Sequence, residues 1–468
     1  MIQNLAFCIH GHFYQPPRED PKTGEIPIEP GAFPFQNWNE RINNHCYQPN
    51  SKLGNFEYIS FNIGPTLCDW LVQNDPGTMA RIVEQDRTNI KNYGVGSAMA
   101  QPYNHTILPL AKREDKVTQV QWGIEDFIYY FGHKPQGMWL PETAVDLETL
   151  EVLTENEINF TILAPWQADT RELNQRKPYR VELENQKEIS VFFYDSEISS
   201  NVSFSPNLTV DADQFIPNTI KRRFLSNSKE PQIVIVASDG ELYGHHQIYR
   251  DKFLSRLIHN AHYDSRIKIT YPSLWLKENP AVETINIVEN SSWSCHHGVA
   301  RWSDSCGCTP HPEWKKPLRN AMNQMGDKLD RIFLEVFSKY TRHAMKIRNM
   351  YIHIIHNTIS IQDLFSTFIA KNLTTSETEQ LTLLLEAQFE RQRMFTSCGW
   401  FFDDFDRIEP QNNLAYAAHA CWLTYKSTGI DLVPDAIPLL ENVQSWRSGL
   451  KASTVFTHRI QQELINTQ

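Results

Sequence analysis

The chain has 468 residues, a formal net charge of -11 and 12% aromatic residues, among them 12 Trp. Its length exceeds the roughly 250–300 residues at which one hydrophobic core stops growing, which predicts a large domain plus a smaller one. Acids spread along the whole chain argue against nucleic acid as a partner and suit neutral or cationic ones.

The N-terminus, Met1 to Cys8, enters a short apolar segment without a basic region or a small-residue cleavage site, which is not the pattern of a signal peptide. No apolar run approaches the roughly 20 residues of a membrane helix, so the expectation is a cytoplasmic chain that does not span a bilayer. Short β-rich runs then recur at Leu5 to Ile9, Tyr58 to Ile63, Val95 to Ala100, Gly137 to Leu140, Phe160 to Leu163, Val191 to Tyr194, Ile233 to Ala237 and Ile267 to Thr270. Between them lie amphipathic stretches such as Asp115 to Phe131, Leu147 to Glu155 and Asp211 to Leu225. The alternation predicts an α/β fold with parallel strands, and seven or eight units suffice for a closed barrel. Beyond Ser292 the pattern turns to helical periods at Lys316 to Lys339, Thr341 to His356, Ser376 to Phe395 and Asn413 to Tyr425. We therefore expect a β/α domain over 1–290 and a helical domain over 291–468, joined by a Trp/His/Cys-rich linker at 291–317. The eight Cys suit reduced thiols in a chain of this length.

In parallel β/α folds the site forms at the carboxyl ends of strands, so polar residues directly after apolar runs are the candidates. The first run ends in His10-Gly11-His12, two imidazoles on one side of an extended strand. Glu142 follows the run Gly137 to Leu140 and Pro141; it is either a reactive carboxylate or an acid opening the next helix. The run Ile233 to Ala237 leads into Ser238, Asp239, Gly240, Glu241, Leu242, Tyr243, Gly244, His245 and His246, two acids and two imidazoles at one strand end. Acids at that density are costly to bury unless paired or used.

These segments together resemble glycoside hydrolase family 57. Trp139-Leu140-Pro141-Glu142 is similar to the family's third motif, and Asp239 to His245 to its fourth; His10, His12 and Gln15-Pro16 are similar to its opening motif. Asn104-His105 resembles its second region, and Ser292-Trp293 with Trp302 its last. The resemblance implies a distorted (β/α)7-type barrel followed by helices, and a retaining hydrolase or transglycosylase of α-linked glucans or related oligosaccharides, with no cofactor. It assigns Glu142 as nucleophile and Asp239 as acid/base, with Glu241 as the rival for the second role. His10, His12, His105, Glu241 and His245 would contact sugar, and Trp139, Trp293 or Trp302 would stack on ring faces. The sequence departs from the family pattern where Phe13-Tyr14 intervene before Gln15, where Met99-Ala100 stand in place of a Glu, where Gly240 replaces a Thr, and where His246 replaces an aromatic residue. The stretch Ser292 to Gly298 with Cys306-Gly-Cys308 resembles a poorly characterised subgroup. Carboxyl groups about 5 to 5.5 Å apart retain configuration and a wider gap inverts it, a distance that no sequence supplies.

Two other readings start from the same residues. His10, His12, Asp239, His245 and His246 are the ligand types of a metal-dependent, polysaccharide deacetylase-like hydrolase. A non-catalytic carbohydrate-binding protein would keep the aromatic residues without using the acids. Cys295, His296, His297, Cys306, Cys308 and His311 are soft ligands without the paired spacing of known zinc modules, so the sequence favours thiols packed in a loop.

Overall fold

Strand β1, Leu5–Phe13, is buried from Ala6 to its end, because other strands flank it on both edges and helices or barrel interior cover both faces. The structure is a computed structural model that describes residues 5–261 and 266–465. Contacts sort the chain into two units: one of the stretch ending at Gln15, Ile28–Pro102 and Asp126–Trp293, the other of Pro16–Pro27, Tyr103–Glu125 and the chain from Ser294 on. The second unit thus takes two segments from within the first 290 residues.

In the first unit, β2 (Ser60–Ile63), β3 (Ala98–Met99), β4 (Phe160–Leu163), β5 (Tyr179–Glu182), β6 (Glu188–Phe193), β7 (Gln232–Asp239) and β8 (Ile267–Ile269) follow β1. Parallel pairing runs β3-β2-β1-β7, and β4 pairs parallel with β6. The segment expected as a strand at Gly137 to Leu140 is reduced to two parallel bridges, Ala100 with Met138 and Gly137 with Phe160, which carry the sheet from β3 to β4. Between β6 and β7, the Asp195 N–H donates to the Ile235 carbonyl at 2.8 Å. Seven staves therefore complete the ring. β8 is not an eighth: it pairs with β1 only at Leu5 to Phe7, along the edge that β2 takes over from His10 onward. β5, absent from the sequence expectation, lies antiparallel on β6, and the Ile233 N–H of β7 reaches the Arg176 carbonyl just before it. These two wedges distort the barrel.

The helix Leu147–Glu155 forms as expected, with Asp146 accepting from the Thr149 N–H at its start. Asp211 to Leu225 does not form one helix; Ala212–Phe215 gives way to a wide turn at Ile216–Ile220 and a tight one at Lys221–Arg223. Pro217 has no N–H with which to continue the ladder.

In the second unit, Lys315–Phe337, Thr375–Arg393 and Ile408–Thr428 are long helices, and Thr341 to His356 is split into Ala344–Met350 and Ile352–Ile355. A buried ion cluster ties several of them to the helix Arg113–Phe131, expected at Asp115 to Phe131: Asp115 meets Arg348 at 3.1 Å and Arg391 at 2.8 Å, and Arg391 reaches Asp330 at 2.7 Å. Among the described residues, no helix is long and apolar enough to cross a membrane.

Candidate active site

Side chains alternate along a strand, so the residues filling the barrel predict which polar residues crown it. Ala6 and Cys8 of β1 and Ile233, Ile235 and Ala237 of β7 belong to the apolar interior, with Met99, Trp139, Ile162 and Phe192 from other staves. Continuing the same parity brings His10 and His12 inward on β1 and Asp239 inward on β7. His12 and Asp239 are register partners on adjacent strands. β2 supplies the next two positions: Ser60 stands opposite His10 and Asn62 opposite His12. His10 Nδ1 lies 2.9 Å from Ser60 Oγ, His12 Nδ1 lies 3.2 Å from Asn62 Oδ1, and Asn62 Nδ2 donates to Gln101 Oε1 at 2.7 Å. A polar layer thus sits on the apolar interior at the carboxyl ends of the strands. Burial pushes His10 down to about 3, helped by neighbouring His12, and His12 down to about 4, so both rings are neutral around pH 7.

Glu142 has φ 58 and ψ 19, and Thr143 follows with φ 50, two successive residues in the left-handed region that favours glycine. Such strain persists only where the surroundings hold it, and here they do. The Glu142 carbonyl accepts from the Trp293 N–H at 2.9 Å, and its Oε2 accepts from Trp293 Nε1 at 2.9 Å. Thr143 Oγ1 donates to Gln167 Oε1, and Gln167 Nε2 donates back to the Thr143 carbonyl, each at 2.8 Å. The sequence offered a helix-opening acid as the alternative for Glu142; the segment Pro141–Thr143 is one tight turn that leads into no helix directly, since the next begins at Leu147. Trp293 stands edge-on to Trp139 at 5.1 Å and to His12 at 6.5 Å. The chain of contacts therefore runs from Glu142 through Trp293 to His12, the neighbour of Asp239.

The two acids of the β7 end have different surroundings. Asp239 is open to solvent, yet enough protein stands around its carboxyl to push it up to about 6 by desolvation. Glu241 is enclosed; its Oε1 accepts from the Tyr47 hydroxyl at 2.6 Å and from the Tyr14 N–H at 3.1 Å. Burial raises it to about 8, with the charge of Asp239 adding to the rise and the Tyr47 hydrogen bond opposing it.

The remaining candidates are divided. Trp139 is fully buried, with one face against His10 at 4.4 Å and His12 at 5.5 Å. It supports those rings and has no free face to offer a sugar. Trp293 is partly exposed. The His245 ring is stacked at 6.0 Å on His45 and lies edge-on to Trp38, with His246 beside it. The metal-hydrolase expectation needed His245 and His246 to converge with His10, His12 and Asp239; among the described residues, that set does not bring three ligand atoms close enough to share an ion. His105 and Trp302 belong to the second unit, where both are buried and His105 Nδ1 lies 2.6 Å from Ser397 Oγ. Sequence reasoning missed Ser60, Asn62 and Tyr47. Ser60 and Asn62 left a signal, two polar residues at alternate positions of an otherwise apolar run, whereas Tyr47 left none.

A Cβ on Gly240 would lie 2.3 Å from the Phe13 ring, so Phe13 occupies the space that a side chain at 240 would need.

The sequence model of Glycosyl hydrolase family 57 matches residues 35–288, and a Domain of unknown function (DUF3536) matches residues 311–468. No curated protein matches the sequence significantly. Among solved structures, an exo-type maltose-forming amylase from Pyrococcus sp. ST04 superposes with a TM-score of 0.76 at 13% identity, covering 98% of this chain and 88% of that one. A GH57-type branching enzyme from Pyrococcus horikoshii gives 0.64 at 16% identity, over 98% of this chain and 97% of its own. A 4-alpha-glucanotransferase from Thermococcus litoralis gives 0.58 at 15% identity, over 89% of this chain and 60% of its own. At these identities the superpositions speak for the fold, a (β/α)7 barrel with a helical region. The family match spans more than half of the chain, and with it this protein belongs to glycoside hydrolase family 57.

Proposed function

We propose that this chain cleaves or transfers segments of α-linked glucans with retention of configuration, Glu142 acting as nucleophile and Asp239 as acid/base. The observation that carries the reading is the contrast between the acids: a strained, clamped Glu142 and an accessible Asp239 whose carboxyl is raised to about 6. In the first step Asp239 gives its proton to the leaving glycosidic oxygen as the bond to the anomeric carbon breaks, and a Glu142 oxygen forms the new bond to that carbon. In the second, ionised Asp239 takes a proton from water or a sugar hydroxyl, whose oxygen displaces Glu142. The partly exposed Trp293 is suited to stack on a pyranose while its indole N–H orients the nucleophile. Glu241, enclosed and bound by Tyr47 and Tyr14, shapes the field around Asp239 instead of touching substrate. The named activities of the superposed amylase, branching enzyme and glucanotransferase support an α-glucan as substrate.

The test is product analysis on a panel of α-glucan oligosaccharides with wild type, Glu142→Gln and Asp239→Asn. We expect the first product to keep the α-configuration, and each variant to lose at least the roughly 100- to 10,000-fold that a positioned acid or base supplies. Near-normal rates in either variant, or an inverted first product, would defeat the assignment.

A further inference from the structure

The segment from Ser294 to Trp314 has little regular structure, its short helical turns being Ala300–Trp302 and Pro312–Trp314, yet it buries Cys295, Val299, Trp302 and Cys306. Four of its side chains point at one another. Cys295 Sγ lies 3.6 Å from Cys306 Sγ and 3.7 Å from Cys308 Sγ. His297 Nδ1 lies 3.2 Å from Cys306 Sγ and 3.3 Å from Cys308 Sγ. All four ligand atoms fall within 4.8 Å of one another. Successive turns bring the pairs together: the Gly298 N–H donates to the Cys295 carbonyl, the Asp304 N–H to Ala300 and the Cys306 N–H to Asp304.

A tetrahedral zinc ion, bonded at about 2.3 Å to sulfur and 2.0–2.1 Å to nitrogen, sets its sulfurs about 3.8 Å apart and sulfur from nitrogen about 3.6 Å apart. The observed separations come within a few tenths of an ångström of those edges. We propose that Cys295, His297, Cys306 and Cys308 form a Cys3His site for a structural Zn2+ ion. Four protein ligands fill a tetrahedron, which leaves no position for water or substrate and excludes a catalytic role for the ion. Loading replaces three thiol protons with one dication and leaves a centre of net charge -1. A cation stands ready to offset it: Lys315 is fully buried, donates to Thr309 Oγ1 at 2.7 Å, and pairs with no carboxylate among the described residues. The spacing hid the site from the sequence, because each half supplies ligands with a single residue between them, Cys295 with His297 and Cys306 with Cys308, where zinc modules commonly leave two to four residues between the members of a Cys pair. Of the two remaining candidates, His296 does not join the cluster and His311 is stacked on Trp446 instead.

The full chain, purified under reducing conditions from zinc-supplemented medium, should hold about one zinc per molecule by mass spectrometry of the metal. Chelation should lower the melting temperature, and added Zn2+ should restore it. Cobalt reconstitution of the wild type should give the visible bands of a thiolate-rich tetrahedral site. Cys308→Ser and His297→Ala should lose the metal, whereas Cys421→Ser, at a buried thiol elsewhere, should keep it. Should the variants not fold, the cobalt spectrum still decides on the unmutated protein. The proposal is overturned if reduced wild type holds far less than one metal and yields no tetrahedral cobalt spectrum, if both ligand variants keep the zinc, or if peptide mapping finds two of the three thiols joined in a disulfide. None of these readouts depends on glycosidase activity.

Discussion

Raising the pH takes the proton from Asp239 before Glu241, and the order distinguishes the two candidates for acid/base. With its carboxyl at about 6, Asp239 is about nine-tenths protonated at pH 5, about one-tenth at pH 7 and about one-hundredth at pH 8. Left at the ordinary value of 3.8, it would be protonated in fewer than about one molecule in a hundred at pH 6, so desolvation raises the acid form there by about 80-fold. Since the first step needs that proton, kcat/KM on an α-glucan oligosaccharide should fall through a limb centred near pH 6, approaching tenfold per unit above it. The limb should vanish in Asp239→Asn and flatten with an aryl glycoside whose leaving group needs no protonation. The Tyr47 hydrogen bond holds Glu241 below where burial alone would put it, so Tyr47→Phe should raise Glu241 further and leave the limb near pH 6 in place. A limb near pH 8 that climbs in Tyr47→Phe would refute the reasoning and move the role to Glu241.

Trp293→Phe keeps a ring and removes the donor to Glu142 Oε2. A hydrogen bond to a charged group contributes about 1.5 to 3 kcal/mol, which predicts a loss of about 10- to 100-fold in kcat/KM together with a lowered melting temperature. Gly240→Thr, a change toward the family pattern, should cost about 1 to 3 kcal/mol in urea unfolding because its Cβ meets the Phe13 ring. Combining it with Phe13→Ala should cost less than the sum of the single changes, and strict additivity would show that the two sites do not compete for space. Asp115→Asn should destabilise the chain by about 3 to 5 kcal/mol near pH 7 by leaving Arg348 and Arg391 buried with one carboxylate fewer. Burial opposes ionisation of Asp115, but Arg391 and Arg348 outweigh it and lower the carboxyl below its ordinary value. The stabilisation is therefore present above the unfolded value of about 3.9 and is lost as pH falls through the folded one, a slope that the Asn variant should lack.

Several features were legible without coordinates because they depend on neighbours along the chain. Apolar runs such as Ile233 to Ala237 predicted strands, and the residues just beyond them, His10, His12, Glu142 and Asp239, were singled out because parallel folds place reactive groups at carboxyl ends. Alternation even fixes which of these share a face, since the parity that sends Cys8 and Ala237 inward also sends His12 and Asp239 inward. What depends on pairing across the chain was not legible. That β8 takes only the first part of an edge of β1, and so leaves a seven-stave ring, follows from register. The burial of Trp139, the division of the histidines between His12 and His245 and the clamp of Trp293 on Glu142, 151 residues apart, each need distant segments brought together. The convergence of Cys295, His297, Cys306 and Cys308 is the sharpest instance, for a spacing that resembles no zinc module becomes one close cluster of ligand atoms once the loop between its halves turns back. Strand and helix propensity act over a few residues, whereas desolvation, ligand geometry and backbone strain are properties of the space those elements enclose.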